Sequence, residues 1–235
     1  MNLTESSMSA PTAGGLAADV PSTTVPNSST NTWRECLKFF ARTVAMIMVT
    51  PWLLVYWVKL PFLGPDQSLE GSSESLSRIP GFLGRYMRRS FLSWVLAECH
   101  PTASIGFGVL FSKVGARIGA NVYIGPRCHI GLAAIESDAL IAAGAHVTSG
   151  AQTHGFDDLT IPIREQERAP TMVHIGAGAW IGSGAIVMAD VGEGTIVGAG
   201  AVVTKPLPDL VIAAGVPARV LRSRAQAAIK TQEAN

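Results

Sequence analysis

The sequence predicts an all-β fold, a parallel β-helix built from six-residue units and preceded by a short, partly apolar α-helical extension. Three observations predict it: after Ile105, Val or Ile recurs at six-residue intervals in successive runs, a small residue usually follows it, and this pattern fills most of the remaining chain. A period of six fits neither the 3.6 residues of a helical turn nor a simple hairpin meander. It fits a chain folded into a triangular coil, with one unit along each side.

The aliphatic series has four runs, interrupted by a one-residue slip, a long break and a shorter step: Ile118, Ile124, Ile130; Ile135, Ile141, Val147; Ile175, Ile181, Val187; Val191, Val197, Val203. We expect these side chains to fill the prism, with the small neighbour turning each corner without a Cβ clash. Glycines in IGAGAW and EGTIVGAGAV would cost a helix ~1 kcal/mol each. The chain is long enough for six or seven stacked coils.

Composition excludes some classes of partner. The chain has 235 residues, 18 basic and 17 acidic, with a net charge of +1, so nothing suggests a nucleic-acid partner, which would need a clustered basic surface. Cys36, Cys99 and Cys128 form no CxxC pair and no even disulfide set, so we expect free thiols in a reducing compartment, with Cys128 buried in a repeat.

The region before the repeats divides by composition. Residues 1–32 are rich in Ser, Thr, Ala and Pro and are expected to be a disordered tail; no basic residue precedes Arg34, so the n-region of a signal peptide is absent. Residues 33–62 are an apolar segment that associates with a membrane or packs on protein. Residues 63–98 are expected to form a linker and a basic, apolar helix, with the polar linker at 64–77. The β-helix domain covers 99–224, and 225–235 is a carboxyl-terminal tail.

The apolar segment leaves three interpretations open. Residues 43–58 carry no charge, but the run is short of the ~20 residues of a spanning helix, and Pro51 interrupts it. It is a helix lying in the cytoplasmic face of a membrane, a short tilted span, or a helix packed on protein. Trp52, Tyr56 and Trp57, together with Lys59, resemble interfacial anchors. The basic stretch 84–97 favours peripheral membrane contact through 39–62, and we expect a cytoplasmic protein on the inner face of the membrane.

Three carboxyl-terminal motifs resemble the signature of the hexapeptide-repeat acetyltransferases: IGAGAWIGSGAIV (175–187), VGAGAVVTK (197–205) and AAGVPARVLR (213–222). The family includes maltose and galactoside O-acetyltransferases and exopolysaccharide O-acetyltransferases of the colanic-acid type. The resemblance covers about residues 100–224. It implies a left-handed coil, an acetyl-CoA donor, no metal, and a homotrimer with its sites where two subunits meet.

The long break in the repeat, the loop 148–174, is where a function is expected on an otherwise regular coil. His154 lies at the place where the resemblance implies a general base, and imidazole has a pKa suited to taking a proton from an attacking hydroxyl. Asp157 or Asp158 could orient the imidazole. His100, His129, His146 and His174 are expected to be structural or exposed.

The resemblance also implies a set of cofactor-binding residues. Trp180 and Ser183 match positions along the pantetheine channel, and Ala199 and Thr204 match contacts further along acetyl-CoA. The basic residues of the motifs match those near the adenosine phosphates, where cations are favourable: Lys205, Arg219 and Arg222.

The predicted function is acetyl-CoA-dependent O-acetylation of a small-molecule or glycan acceptor: a sugar, a polysaccharide or a lipid-linked saccharide. N-acetylation of an amino sugar or an amino acid such as serine remains the nearest alternative. A γ-type carbonic anhydrase uses the same coil with a three-histidine zinc site, and His129, His146, His154 and His174 are available. That family does not require the VVTK and PARVLR elements.

Overall fold

The computed structural model describes residues 29–166 and 168–224, and gives only the backbone for residues 29–39, 41 and 42. The chain divides into two units, residues 1–37 and residues 38–235. The described part of the first unit, residues 29–37, is the beginning of the first helix, and the second unit contains the rest of that helix and all the other elements. The carboxyl-terminal tail and most of the predicted amino-terminal tail lie outside the described residues, although residues 29–32 are helical.

The repeat region is a solenoid of short strands in chain order: β1 Glu98–Cys99, β2 Ser104–Ile105, β3 Leu110–Phe111, β4 Arg117–Ile118, β5 Tyr123–Ile124, β6 His129–Ile130, β7 Ala133–Ile135, β8 Leu140–Ile141, β9 His146–Val147, β10 Val173–Ile175, β11 Trp180–Ile181, β12 Ile186–Val187, β13 Ile196–Val197, β14 Val202–Val203, β15 Val211–Ala214 and β16 Arg219–Ser223. They form about six turns. The predicted all-β class is confirmed.

Three sheets form the faces of the prism. Sheet A has the order β1-β4-β7-β10, sheet B has β16-β15-β13-β11-β8-β5-β2, and sheet C has β14-β12-β9-β6-β3. Neighbouring strands are parallel throughout, except that β16 folds back antiparallel onto β15. Each strand pairs with the strand one turn away, so the chain visits the sheets in the order A, B, C.

The predicted aliphatic rows are the core. In sheet B, Ile105, Ile124 and Ile141 pair in register and are fully buried. Every member of the four predicted runs is at most 2% exposed. The one-residue slip after Ile130 is absorbed before β7, which returns Ile135 to register with Ile118. Burying each such side chain contributes about 1.5–3 kcal/mol.

The small residue after each aliphatic residue is required by the close approach of the next turn, in addition to the bend of the chain at the corner. A Cβ at Gly182 would lie 2.5 Å from the backbone nitrogen of Ala199, and a Cβ at Gly176 would lie 2.5 Å from that of Glu193. Both neighbours belong to the next turn. Adjacent turns therefore come too close at these corners for a larger residue to fit without a backbone shift.

The helical extension is longer than predicted. Helix α1 (Ser29–Ser77) has 49 residues and reverses at Gly64, which has a positive φ of 75°. Trp52 Nε1 donates to Ser75 Oγ at 3.0 Å, so two arms of this helix within the second unit, a first arm at 38–63 and a second arm at 65–77, lie side by side. The predicted polar linker at 64–77 is thus wrong. The segment 65–77 has few apolar residues, but Leu69 and Leu76 are fully buried, and small serines fill the rest of the buried face of this arm.

The second arm of α1 covers an open sheet edge. Strand β3 is the last strand of sheet C, and the backbone N–H of Phe111 donates to Ser73 Oγ at 3.0 Å. The N–H of Val114 just beyond it donates to Asp66 Oδ1 at 3.0 Å. Unpaired edges invite association with other chains, so these side chains stabilise the first turn and protect it.

Helix α2 (Gly81–Val95) packs on β1 and β2. Its apolar side is buried through Met87, Phe91, Leu92 and Val95. Arg88 and Arg89 are also buried, although their charge favoured a membrane-facing helix in the sequence. The helix therefore caps the first turn of the solenoid.

Arg88 carries this cap. Its guanidinium donates to the backbone oxygens of Ile79 at 2.8 Å, Ile105 at 3.2 Å and Leu76 at 3.3 Å. Burial, and secondarily the charge of Arg85, lowers the pKa of Arg88 to about 10, so it remains charged at neutral pH. One side chain thus joins α1, α2 and sheet B.

Replacing Arg88 with methionine should lower the free energy of unfolding by about 1–3 kcal/mol, because buried carbonyls are left without donors. The exposed Arg85 provides the matched control, and Arg85→Met should stay within about 0.5 kcal/mol of the parent protein. Urea unfolding of both variants measures this difference. Equal stability of the two variants would contradict the capping role.

Candidate active site

The long break in the solenoid is an extruded loop, residues 148–172, between β9 of sheet C and β10 of sheet A. Its stem is closed: the N–H of Thr171 donates to the oxygen of Ser149 at 2.9 Å, and the N–H of Val173 donates to that of Leu132 at 3.0 Å. The loop ends two residues earlier than predicted, because Val173 and His174 already belong to β10. It leaves the prism along the edge between sheets C and A.

His154 lies in the first part of this loop with an exposed side chain. Among the described residues, no hydrogen bond holds its imidazole. The two carboxylates predicted to orient it have other partners: Asp157 forms an ion pair with Arg168 at 2.5 Å, and Asp158 Oδ1 accepts from the N–H and hydroxyl of Thr160. The hydroxyl contact with Thr160 holds the pKa of Asp158 below its usual value.

Two side chains that no sequence motif singled out stabilise the loop. Gln166 Nε2 donates to the oxygens of Asp158 at 2.6 Å and Ile161 at 3.2 Å, while its Oε1 accepts from the N–H of Asp158 at 3.1 Å. The guanidinium of Arg168 lies 5.6 Å from the ring centre of Phe156. The loop that presents His154 is therefore cross-linked internally.

Replacing Gln166 with alanine should speed amide hydrogen exchange across 154–166 while leaving the thermal midpoint unchanged, because the lost bonds lie within a surface loop. Exchange followed by mass spectrometry measures this. Arg164→Ala is the control, since exposed Arg164 pairs only weakly, at 3.4 Å, with its neighbour Glu165. Unchanged exchange in the Gln166 variant would contradict the bracing role.

The structure places the predicted cofactor residues on the outside of the prism. All are exposed: Trp180, Ser183, Ala199, Thr204, Lys205, Arg219 and Arg222. Ser183 and Ala199 stack on consecutive turns at the edge between sheets B and C, where the N–H of Gly200 donates to the oxygen of Ser183 at 2.8 Å. Arg219 and Arg222 lie on β16, at the end of sheet B.

Thr204 and Lys205 lie on a different edge. They follow β14 of sheet C and precede Leu207 in the row of sheet A, so they share the C–A edge with the His154 loop. Within one chain, Thr204 and Lys205 thus lie at the same C–A edge as the His154 loop. Ser183 and Ala199 lie at the B–C edge, on the other side of sheet C. Their assignment to acetyl-CoA stays a prediction.

The three outer faces differ in chemistry. Sheet A is polar, with Glu98, Arg117 and His174 pointing outward. Sheets B and C present mainly apolar or aromatic residues, listed here by strand order: Tyr123, Leu140, Trp180, Ile196 and Ile212 on sheet B, and Leu110, His129, His146, Ile186 and Val202 on sheet C. The outward-facing residue is the one before each core aliphatic residue, so the sequence already contains the signal that distinguishes the polar face from the two apolar faces.

The remaining histidines lie outside the loop. His129 and His146 stack on adjacent turns of sheet C, with ring centres 5.9 Å apart. Burial, and then the charge of His146, lowers the pKa of His129, while Glu70 opposes this shift. His100 Nδ1 lies 2.8 Å from the hydroxyl of Thr102. Within residues 29–166 and 168–224, no three His, Cys, Asp or Glu side chains are grouped to hold a metal ion.

The fold is similar to solved acetyltransferase structures. A maltose O-acetyltransferase from Clostridium difficile 630 matches with a TM-score of 0.58 and 19% identity, over 67% of this chain and 87% of that one. A galactoside acetyltransferase in complex with coenzyme A matches with a TM-score of 0.56 and 25% identity, over 69% and 84%. A hexapeptide-repeat acetyltransferase from Vibrio cholerae matches with a TM-score of 0.54 and 21% identity, over 68% and 92%.

No protein-family profile and no curated protein matches the chain. The predicted resemblance is nevertheless confirmed, since the solenoid is similar to those of maltose and galactoside O-acetyltransferases. The chain has the solenoid fold of the hexapeptide-repeat acetyltransferases, and its similarity to the galactoside acetyltransferase supports an acyltransferase.

Proposed function

We propose that this acyltransferase is an acetyl-CoA-dependent O-acetyltransferase that acts on a sugar, a polysaccharide or a lipid-linked saccharide, with His154 as the general base. The observation that carries the proposal is the one long interruption of the described solenoid, which presents an exposed imidazole on an internally braced loop. The coenzyme A in the similar galactoside acetyltransferase supports the choice of donor.

His154 performs the proton chemistry in this proposal. It accepts the proton of the acceptor hydroxyl as that oxygen attacks the thioester carbonyl of acetyl-CoA, and general-base assistance of this kind contributes typically 10²–10⁴-fold. A backbone N–H of a neighbouring coil stabilises the oxyanion. The new C–O bond forms, the C–S bond breaks, and the imidazolium returns its proton to the departing thiolate.

The proposed donor site takes Trp180, Ser183, Ala199 and Thr204 along the pantetheine, with the basic side chains nearest the phosphates: Lys205, Arg219 and Arg222. Within one prism, Trp180, Arg219 and Arg222 lie on sheet B, whereas Ser183 and Ala199 lie at the B–C edge and Thr204 and Lys205 at the C–A edge. The apolar outer faces of sheets B and C are suited to burial against neighbouring copies. A homotrimer would place one copy's C–A edge beside another copy's B–C edge and complete three sites.

Labelled acetyl-CoA incubated with panels of free saccharides, lipid-linked saccharides and amines tests the function. We expect label on a saccharide hydroxyl, released by mild alkali as an ester is. Alkali-stable label on an amine would replace the proposal with N-acetylation. Absence of transfer together with one zinc ion per chain would contradict the acetyltransferase function.

A further inference from the structure

The first arm of α1 is apolar on two sides, and only one side is covered. Ala45, Val49 and Tyr56 are buried, and Tyr56 packs edge-on against Phe91 of α2, with ring centres 6.0 Å apart. The opposite side exposes large apolar residues at helical spacing: Phe40, Ile47, Met48, Leu54, Val55, Val58 and Phe62, each between 40% and 83% exposed. A continuous exposed stripe of this kind marks an interaction surface.

The fold determines how this surface can meet a membrane. Over Thr43–Ser77, α1 is long and apolar enough to cross one. However, the second arm lies against the first and carries the exposed Glu70 and Glu74. A crossing first arm would take these carboxylates into the hydrocarbon, where an ionised residue is strongly unfavourable. An in-plane position buries the apolar stripe and leaves both carboxylates in water.

Charge and aromatic residues favour a lipid surface over a second protein. Residues 36–65 contain Lys38, Arg42 and Lys59 and no acidic residue. Trp57 is 55% exposed, and Trp94 is 60% exposed with its Nε1 3.1 Å from Met46 Sδ of the arm. Indole rings and basic side chains are typical of the bilayer interface, and basic residues are attracted to an anionic lipid surface. A second copy docked through the same face would instead bring like charges together.

We propose that the exposed side of α1, residues 40–62, lies in the plane of an anionic bilayer and holds the solenoid at its surface. The proposal rests on the contrast between the buried face and the exposed apolar face of the helix, and it does not depend on acetyl transfer.

Flotation of the full-length protein with vesicles tests it. We expect binding to phosphatidylcholine vesicles that contain phosphatidylglycerol, and much less to phosphatidylcholine alone. The double variant Leu54→Glu/Val58→Glu should bind at least about tenfold less. Gln67→Glu/Ala97→Glu adds the same charge at exposed positions away from the stripe and should bind like the parent protein. Thermal midpoints of both variants report on folding.

Membrane depth separates the two lipid geometries. Cysteines introduced at Ile47, Leu54 and Phe62, with Cys36→Ser, can carry a nitroxide label, since Cys99 and Cys128 are buried and burial raises the pKa of Cys99 to about 12. Equal shallow depths at the three positions support the proposal, and a graded depth, as in a span, overturns it. It is also overturned if the parent protein ignores anionic vesicles, if the stripe variant still binds, or if that variant instead lowers the oligomeric mass.

Discussion

Acetyl transfer should fall by about 10²–10⁴-fold when His154 is replaced with alanine, because the acceptor hydroxyl loses the group that takes its proton. The fall should be in kcat, with the affinity for CoA and the oligomeric mass nearly unchanged. The imidazole is exposed and held by no other described side chain, so its removal disturbs little else. Steady-state kinetics with the acceptor identified by the labelling panel measure the effect.

His100→Ala is the matched control, since His100 lies on the first turn and its side chain, within the described part of the chain, hydrogen-bonds only to Thr102. This variant should keep the parent kcat. A rate that survives in the His154 variant would refute the general-base assignment without affecting the fold.

The sequence predicted the solenoid well because its core repeats. Ile118, Ile141 and Val187 sit in different sheets, yet each obeys the same local rule of an inward aliphatic residue and a small neighbour. Because every unit repeats the same inward and outward pattern, the register of the strands is recovered even after the slip before Ile135. The same rule made the loop visible, since any long departure from it must leave the prism.

The helical extension was harder to predict because its contacts are made once. Ser73 and Asp66 are ordinary polar residues in sequence, but each supplies an acceptor to a backbone N–H of the first turn. Arg88 and Arg89 looked like basic residues for a membrane surface, yet both donate to backbone oxygens of the protein. Such roles depend on which backbone groups of a distant segment lack a hydrogen-bond partner, and no local sequence pattern shows this.

The position of the loop that carries His154 was predicted from the sequence, but the internal arrangement of the loop was not. The break in the period located His154, whereas the partners of Asp157 and Asp158 depend on how the loop folds back on itself. Arg168 reaches Asp157 from eleven residues away. Ser183 and Lys205 belong to neighbouring motifs of the sequence but lie at different edges of the prism. The sequence could therefore assign them to one site only through the family resemblance.

The largest stability effect is expected at the core, where Ile118→Ala should lower the free energy of unfolding by about 2–5 kcal/mol. Ile118 is fully buried, and its row neighbours Cys99 and Ile135 are fixed by the ladder on either side, so the cavity cannot collapse. Arg117, the preceding residue of the same strand, points outward. Arg117→Ala should stay within about 0.5 kcal/mol of the parent protein.

Urea unfolding at one fixed protein concentration measures both variants, since association would otherwise shift the apparent midpoint. The contrast between adjacent residues tests the inward and outward assignment directly. A slip of one residue in the register would exchange the two side chains and reverse the order of the effects. A larger loss from Arg117→Ala than from Ile118→Ala would therefore contradict the register on which the three faces and the position of the His154 loop depend.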